Sequence, residues 1–263
     1  MKAHAAPLCL ALLLIGAVGA AAQERAYFVT YDHHLEEPRD LEVGIANTSG
    51  IARKDDPSYQ APWIEFEYGL TSRWTTEVYV EWLATPQGGN FTGWRWENRF
   101  RPLKREHAVN PVIYLEFEDI NEASRIQKEV VGSGALSFEE GVPQLRSEHA
   151  RELEAKLILS STVHGWNVAE NFIIERNLSE AEGFEWGYAA GLSHPVRDLV
   201  IGMEAYGGLG STEDRALGDT RHYVAPVFAW RATRKNTVKV SPAFGVTDAS
   251  DRALIRVGYV REF

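Results

Sequence analysis

Alternating apolar and polar positions dominate this chain, and the stretch from Trp63 to Ala84 shows the pattern most completely. Every second residue from Ile64 to Leu70 is apolar, while Glu65 and Glu67 stand between them. After a short turn the same alternation resumes. Successive side chains of a strand point to opposite faces. The stretch therefore predicts a β-hairpin with one apolar and one acidic face.

The pattern recurs in twelve segments, an even number. The predicted strands are Asp40–Arg53, Pro62–Thr71, Trp74–Thr85, Phe91–Pro102, Pro111–Asp119, Arg151–Thr162, Trp166–Arg176, Phe184–Ser193, Leu199–Leu209, Tyr223–Ala232, Thr237–Val246 and Ala253–Phe263. Two of them conflict with ordinary strand chemistry. Glu170 falls on an apolar face, and Pro226 has no amide hydrogen for a ladder.

The connections between these segments alternate in length. The even-numbered ones are mostly tight, down to the two residues Ser72-Arg73, whereas the odd-numbered ones are mostly longer, up to about thirty residues over 120–150. The connection 103–110 is an exception. Outer-membrane barrels have short periplasmic turns and longer outside loops. The asymmetry indicates such a barrel, with both termini periplasmic.

The N-terminal part is predicted to lie outside the barrel. Residues 1–22 have a basic start, a short apolar run and small residues before Gln23, as in a cleaved secretory signal peptide. The only cysteine, Cys9, lies within it. Residues 23–39 are interpreted as a periplasmic segment, followed by the barrel over 40–263. The cluster Asp32-His33-His34 could hold a metal, but a solvated segment is the usual interpretation.

Charge and hydropathy narrow the class of protein further. Removing Lys2 leaves 26 Lys and Arg against 37 Asp and Glu, so the net charge is 26 − 37 = −11, which argues against nucleic acid as a partner. Mean hydropathy is −0.27, and no later run reaches the roughly 20 apolar residues of a membrane helix. Any membrane insertion must use strands, and strands in lipid must close on themselves. The predicted fold is a single all-β antiparallel transmembrane barrel.

If the apolar faces point to lipid, the opposite positions line the interior. The predicted lining carboxylates are Glu65, Glu67, Glu77, Glu81, Glu97, Glu116, Glu118, Glu152, Glu154, Glu175 and Glu204, and the predicted lining cations are Arg95, Arg99, Arg101, Lys156, Lys239 and Arg256. The interior is therefore predicted to be acidic. It would form either a narrow cation-favouring pore or a charge-paired interior that does not conduct.

Enzymatic chemistry is weakly supported by the sequence. Ser160 and His164 lie close along the chain, as do Ser193 and His194, but neither pair has a local acid or amide to orient the histidine. There is no phosphate loop and no regular metal-ligand spacing. We expect no catalytic residue, no metal and no cofactor.

The end of the chain carries an independent signal. Tyr259 and the terminal Phe263 share one face of the last segment, which resembles the C-terminal signature that the barrel-assembly machinery reads in bacterial outer-membrane proteins. Aromatic residues near segment ends, such as Trp63, Trp74 and Trp230, suit the girdles at a membrane interface. Outer-membrane lipid and the assembly machinery are therefore the expected partners.

A narrower resemblance covers most of the mature chain. The segments 67–74, 110–116 and 152–159 are similar to those of outer-membrane proteins grouped as MetA-pathway phenol-degradation transporters. The resemblance implies passage of small solutes, including aromatic ones, and assigns no binding residue. The expected function is a narrow outer-membrane channel or porin for small solutes. The alternatives are a structural barrel without transport, an outer-membrane hydrolase and a soluble periplasmic β protein.

Overall fold

The structure, a computed structural model, describes residues 25–53, 57–125, 130, 149–180, 183–212 and 217–263. The predicted signal peptide and most of the connection 120–150 lie outside the described residues. No helix among the described residues is both long and apolar enough to cross a membrane. In the part of the chain that the structure describes, the helical elements are a single turn, α1 (Glu122–Arg125), and a 3₁₀ turn at Leu217–Asp219.

Twelve antiparallel strands form one closed barrel, in which each strand pairs with its neighbours in sequence and the first pairs with the last. The strands are β1 (Leu41–Ile51), β2 (Tyr59–Thr71), β3 (Trp74–Thr85), β4 (Gly88–Phe100), β5 (Asn110–Asn121), β6 (His149–Val163), β7 (Trp166–Asn177), β8 (Phe184–Val196), β9 (Leu199–Ser211), β10 (His222–Thr233), β11 (Asn236–Gly245) and β12 (Ala253–Glu262). The predicted fold class and strand number are confirmed.

The two doubtful strands form despite their unusual residues. In β7, Glu170 lies exposed on the outer face, opposite Leu159 of β6. It is the fifth of the twelve residues of β7, and on the lipid face a Glu costs less than an Arg or Lys does. In β10, Pro226 pairs with Met203 of β9, whereas β11 has no register partner for residues 225–227. Proline brings no amide hydrogen to a ladder, which accounts for the gap.

The outer surface of the barrel is apolar. Large hydrophobic side chains alternate along every strand and remain exposed, among them Phe66, Leu115, Phe172 and Met203. A soluble protein rarely leaves so much contiguous apolar surface in water. Strands of ten to fifteen residues reach or exceed the roughly 9 to 11 tilted residues that cross a bilayer. The surface is therefore suited to lipid, as in outer-membrane barrels.

The inner face holds the polar side chains and a short piece of chain that the sequence did not place there. Tyr27, Thr30 and His33, which precede β1, have no exposed surface. Our expectation of a solvated N-terminal segment is therefore wrong for these residues. The alternation of apolar and polar residues did not predict this inward position, because this piece forms no strand.

Candidate functional site

The candidate site is the barrel interior, and residues 25–36, the lumenal segment, occupy part of it. The segment contacts the middle of the wall at Glu97, Asn171 and Glu204. It then returns to the rim, where the Glu36 amide donates to Thr75 Oγ1 at 3.1 Å. The tight β2–β3 turn lies at the same rim, just before Thr75 in the chain.

Backbone amides of the lumenal segment are satisfied by a side chain of the wall. Oε2 of Glu204 in β9 accepts the N–H groups of Val29 and Thr30 at 3.1 Å each, and Oε1 accepts that of Phe28 at 3.4 Å. Charge-assisted bonds of this kind are stronger than bonds between neutral groups. Glu204 therefore anchors the deepest part of the segment.

Tyr31 makes the contacts that strands normally make with each other. Its N–H donates to Oδ1 of Asn171 at 2.7 Å, and its carbonyl accepts from Nδ2 of the same side chain at 2.8 Å. Its hydroxyl donates to Glu97 Oε2 at 2.7 Å and lies 3.2 Å from the hydroxyl of Tyr79. An amide side chain of the wall thus replaces the missing ladder partner.

Packing against small residues holds the aromatic rings of the segment. The Tyr27 ring lies where a Cβ at Gly191 would be, 2.7 Å from the nearest ring carbons. Its hydroxyl donates to Asn167 Oδ1 at 3.0 Å and lies 3.0 Å from Ser193 Oγ. Phe28 packs edge-on against Trp63, with ring centroids 6.4 Å apart. Trp63 therefore faces inward, and its predicted place in an outer aromatic girdle is wrong.

Two arginines of β4 organise the carboxylates of the wall. Arg99 pairs with Glu67, with Glu77 at 3.1 Å and with Glu97 at 2.8 Å. All four side chains are buried, so these contacts are little screened by water. The arrangement follows from antiparallel register, which places inward positions of β2, β3 and β4 beside one another.

Arg95 forms the second cluster, four residues earlier on the same strand. It pairs with Glu81 and lies 3.8 Å from Glu116 and 4.0 Å from Glu118. Each arginine thus faces three carboxylates. Within each cluster carboxyl groups outnumber the guanidinium by three to one, although Arg25 also acts on the first cluster and Lys156 on the second.

The other predicted lining residues divide into two groups. Buried on the inner face are Glu65, Glu152, Glu154, Glu175, Glu204, Lys239 and Arg256. Lys156 pairs with Glu154 at 2.8 Å, and its ammonium group lies 4.0 Å from the centroid of the Tyr114 ring. Arg101 differs, because it follows the end of β4 and donates to the carbonyl of Ser72 at the rim.

A cavity of about 150 Å³ remains between the lumenal segment and the wall. Among the described residues, its lining includes six carboxylates (Glu65, Glu81, Glu116, Glu118, Glu154 and Glu175) and five cations (Arg25, Arg95, Lys156, Lys239 and Arg256). Arg25 comes from the lumenal segment and was not predicted. The cavity is therefore less acidic than the wall as a whole. A volume of a few water molecules marks a narrow space.

The serine and histidine that meet inside the barrel differ from the predicted pairs. Ser160 contacts Nδ1 of His33 and accepts the His33 N–H at 2.8 Å, whereas His164 lies exposed in the β6–β7 turn. Both Ser160 and His33 are buried. Because a substrate could not reach the hydroxyl, the pair has a structural role in this conformation.

Ionisable groups of the lumenal segment respond to their surroundings. Burial, aided by Glu67, raises the pKa of Glu36 to about 8, although Arg99 acts in the opposite direction. Glu262 and Asp40 add to the rise. The Asp32 carboxylate raises the pKa of His34 against the effect of burial, while burial lowers the pKa of His33. Glu36 therefore carries a proton near neutral pH while the segment is in place.

Comparison with known proteins places the chain by its fold. No family profile and no curated protein sequence matches it. Among solved structures, an outer-membrane channel of the COG4313 group from Pseudomonas putida F1 is similar, with a TM-score of 0.57 and 14% identity over 88% of this chain and 97% of that one. The NanC porin gives a TM-score of 0.53 with 11% identity, over 84% and 98% of the two chains.

The KdgM porin is similar to the same degree, with a TM-score of 0.52 and 9% identity over 84% of this chain and 99% of that chain. These similar proteins are channels and porins. At such low identity the likeness carries the fold alone, and it agrees with the twelve closed strands and the apolar outer surface. The chain therefore has the fold of an outer-membrane channel.

Proposed function

We propose that this chain is an outer-membrane channel for small solutes, with passage limited by the lumenal segment. The observation that carries the proposal is the cavity of about 150 Å³, bounded on one side by the segment and on the other by the charged wall. The segment is held by side-chain bonds and not by a strand ladder, so it is displaced at lower cost than a strand. Both termini lie on the periplasmic side in this proposal.

Ion selectivity should follow the net charge of the side chains that line the wall. The two arginine clusters keep an excess of carboxylates, and fixed negative charge in a confined passage repels anions. The nearly balanced charge around the cavity makes the preference for cations modest while the segment is in place. A similar structure contains the KdgM porin in complex with oligogalacturonate. An acidic interior disfavours an anionic oligosaccharide of that kind in this chain.

Aromatic solutes fit the part of the cavity next to the segment. Tyr27, Phe28, Tyr31, Trp63 and Tyr114 all contribute to its lining. Aromatic rings pack edge-on or offset with one another, and the hydroxyl groups of tyrosine supply polar contacts. The proposed solute class is therefore small phenolic compounds. This agrees with the resemblance to phenol-degradation transporters.

Planar-bilayer recording of the purified protein tests the channel. We expect small single-channel currents from wild type, a reversal potential of the sign for cation preference under a salt gradient, and a several-fold larger conductance after deletion of residues 25–36. Heat-modifiable migration on gels checks that the deletion variant still forms a barrel. An anion-selective wild type would contradict the proposed lining.

A structural barrel without transport is the second candidate, favoured by the paired charges and the buried segment. It predicts no current from wild type and a leak from the folded deletion variant, which has lost part of the seal. Liposome swelling with a small neutral sugar, which does not cross lipid on its own, separates the two candidates for uncharged solutes. Equal rates for protein-free and protein-containing vesicles would favour the structural barrel.

A further inference from the structure

Two histidines of the lumenal segment and one glutamate of the β4–β5 connection converge at the rim of the barrel. One ring nitrogen of His33, one of His34 and a carboxylate oxygen of Glu106 all lie within 4.8 Å of one another. The two imidazole rings are stacked, with centroids 4.3 Å apart and planes 30° apart. Three potential ligands from two separate parts of the chain thus face one point.

The His33 side chain is buried and has an unsatisfied nitrogen aimed at this point. The imidazole has no exposed surface, and its Nδ1 contacts Ser160 Oγ. Nε2 makes no hydrogen bond with any described residue and lies 3.8 Å from Glu106 Oε1. A buried polar atom without a partner costs free energy. A cation at this point would remove that cost.

The surroundings favour a cation that accepts nitrogen ligands. The Asp32 carboxylate lies 3.0 Å from His34 Nδ1, which is the kind of carboxylate contact that orients metal-binding histidines. Asp32 and Glu106 supply two negative charges, and Arg101 supplies one positive charge that acts on both histidines.

We propose that His33, His34 and Glu106 form a binding site for Zn²⁺ or a similar borderline divalent cation. Two imidazole nitrogens and one carboxylate oxygen suit Zn²⁺ better than Ca²⁺ or Mg²⁺, which prefer oxygen ligands. Bonds of roughly 2.0 to 2.2 Å require ligand atoms somewhat closer than those seen here. The Glu106 side chain is 63% exposed, so it is free to move inward.

A cation at this site would fasten the lumenal segment to the β4–β5 connection. His33 and His34 belong to the segment, whereas Glu106 belongs to the connection between two wall strands. Water reaches the site from the Glu106 side, which gives the ion a path of entry and leaves a fourth coordination position for water. The proposal does not depend on whether the barrel conducts.

Titration calorimetry of the full chain in detergent, stripped with a chelator and carrying no polyhistidine tag, tests the site. Wild type should bind one Zn²⁺ in a saturable manner, with much weaker binding of Ca²⁺ and Mg²⁺. His33→Gln, His34→Gln and Glu106→Gln should each weaken binding at least tenfold. His107→Gln is the matched control and should keep the wild-type affinity, because His107 is exposed next to Glu106 and outside the cluster.

Binding of Co²⁺ gives a second, spectroscopic readout that is independent of calorimetry. Co²⁺ bound by these ligands should show visible absorption bands typical of four coordination, and they should be absent from Glu106→Gln. That variant changes an exposed side chain, so it does not threaten folding. Absence of saturable binding by wild type would overturn the proposal. So would binding that survives all three substitutions, which would mean that the ion sits elsewhere.

Discussion

The carboxylate of Glu204 accepts the backbone N–H of Thr30 at 3.1 Å, although 174 residues separate the two along the chain. The same carboxylate oxygen accepts the N–H of Val29. Hydrogen bonds to a charged acceptor contribute about 1.5 to 3 kcal/mol each in folded proteins. Glu204 is therefore the residue on which the position of the lumenal segment depends most directly.

Glu204→Ala should free the deepest part of the lumenal segment. We expect amide hydrogen exchange at residues 28–30 to accelerate by roughly one to two orders of magnitude, corresponding to the lost bonds. Single-channel conductance should rise in parallel. Glu180→Gln, an exposed change in the β7–β8 connection, should leave both quantities unchanged. Unaltered exchange in Glu204→Ala would mean that other contacts hold the segment.

Gly191→Ala tests the same position by steric means. The added Cβ would lie 2.7 Å from ring carbons of Tyr27, which is fully buried and hydrogen-bonded through its hydroxyl. Overpacking of this kind costs about 1 to 3 kcal/mol. We expect larger conductance and weaker protection of Tyr27 from exchange. In the control Gly89→Ala the added Cβ would meet only the Leu83 carbonyl oxygen, at an ordinary contact distance of 3.9 Å, so it should behave as wild type.

The barrel could be predicted from the sequence because each strand repeats a simple rule. Inward Glu116 and outward Leu115 differ by one position, and a period of two assigns them to opposite faces. The lumenal segment follows no such rule. Its amides are satisfied by Glu204, Asn171 and Ser160, and only the closed barrel brings these side chains to it. Half of its twelve residues are apolar or aromatic, but they follow no regular period, so the pattern predicts neither a strand nor a buried position for them.

The incorrect prediction that Trp63 lies in the outer aromatic girdle has a related cause. Trp63 shares the parity of Glu65, and both point inward. Strict alternation alone would have placed it inward, but our prediction followed its place near a strand end and assigned it to the girdle. The indole N–H donates to Glu65 Oε2 at 3.0 Å. The partly buried indole N–H thus has its acceptor on the inner face, which agrees with the inward position that alternation assigns to Trp63.

The pH dependence of the lumenal segment should follow Glu36. Its pKa is about 8 in place of the ordinary 4.5, chiefly through burial, so the docked segment holds a proton that the released segment gives up. Docking should be strongest at or below about pH 4.5 and should weaken as pH rises to about 8. We expect conductance to increase over this range. Glu36→Gln should flatten the profile, and Glu37→Gln should not.

A decrease in wild-type conductance between pH 5 and 8 would contradict this sign. Hydrogen exchange at residues 28–31, corrected for the intrinsic effect of pH, gives an independent measurement of docking. If exchange and conductance disagree, titration of the wall carboxylates, and not of Glu36, controls the current.

The assignment of faces is tested by placing charge on each side of the wall. Arginine at Leu115 or Leu157, both exposed on the outer face near the middle of their strands, should lower the free energy of unfolding by roughly 2 to 4 kcal/mol. Arginine at Ile201, the third residue of β9, should cost less. Outward Tyr259→Arg, close to the rim, should cost less and serves as the depth control. Urea unfolding in lipid vesicles measures the differences. Equal losses at all four positions would argue against lipid contact.

Phe263 should matter for assembly more than for final stability. The Phe263 N–H donates to the Leu41 carbonyl at 2.9 Å, and its ring is exposed on the outer face. Deletion removes both the bond and the ring, whereas Phe263→Ala removes only the ring. If the assembly machinery reads the aromatic ring, both variants should lower the heat-modifiable fraction in outer membranes several-fold. Trp230→Ala, another exposed aromatic change, should not. Normal assembly of Phe263→Ala alongside a defective deletion would assign the effect to closure of β1 against β12.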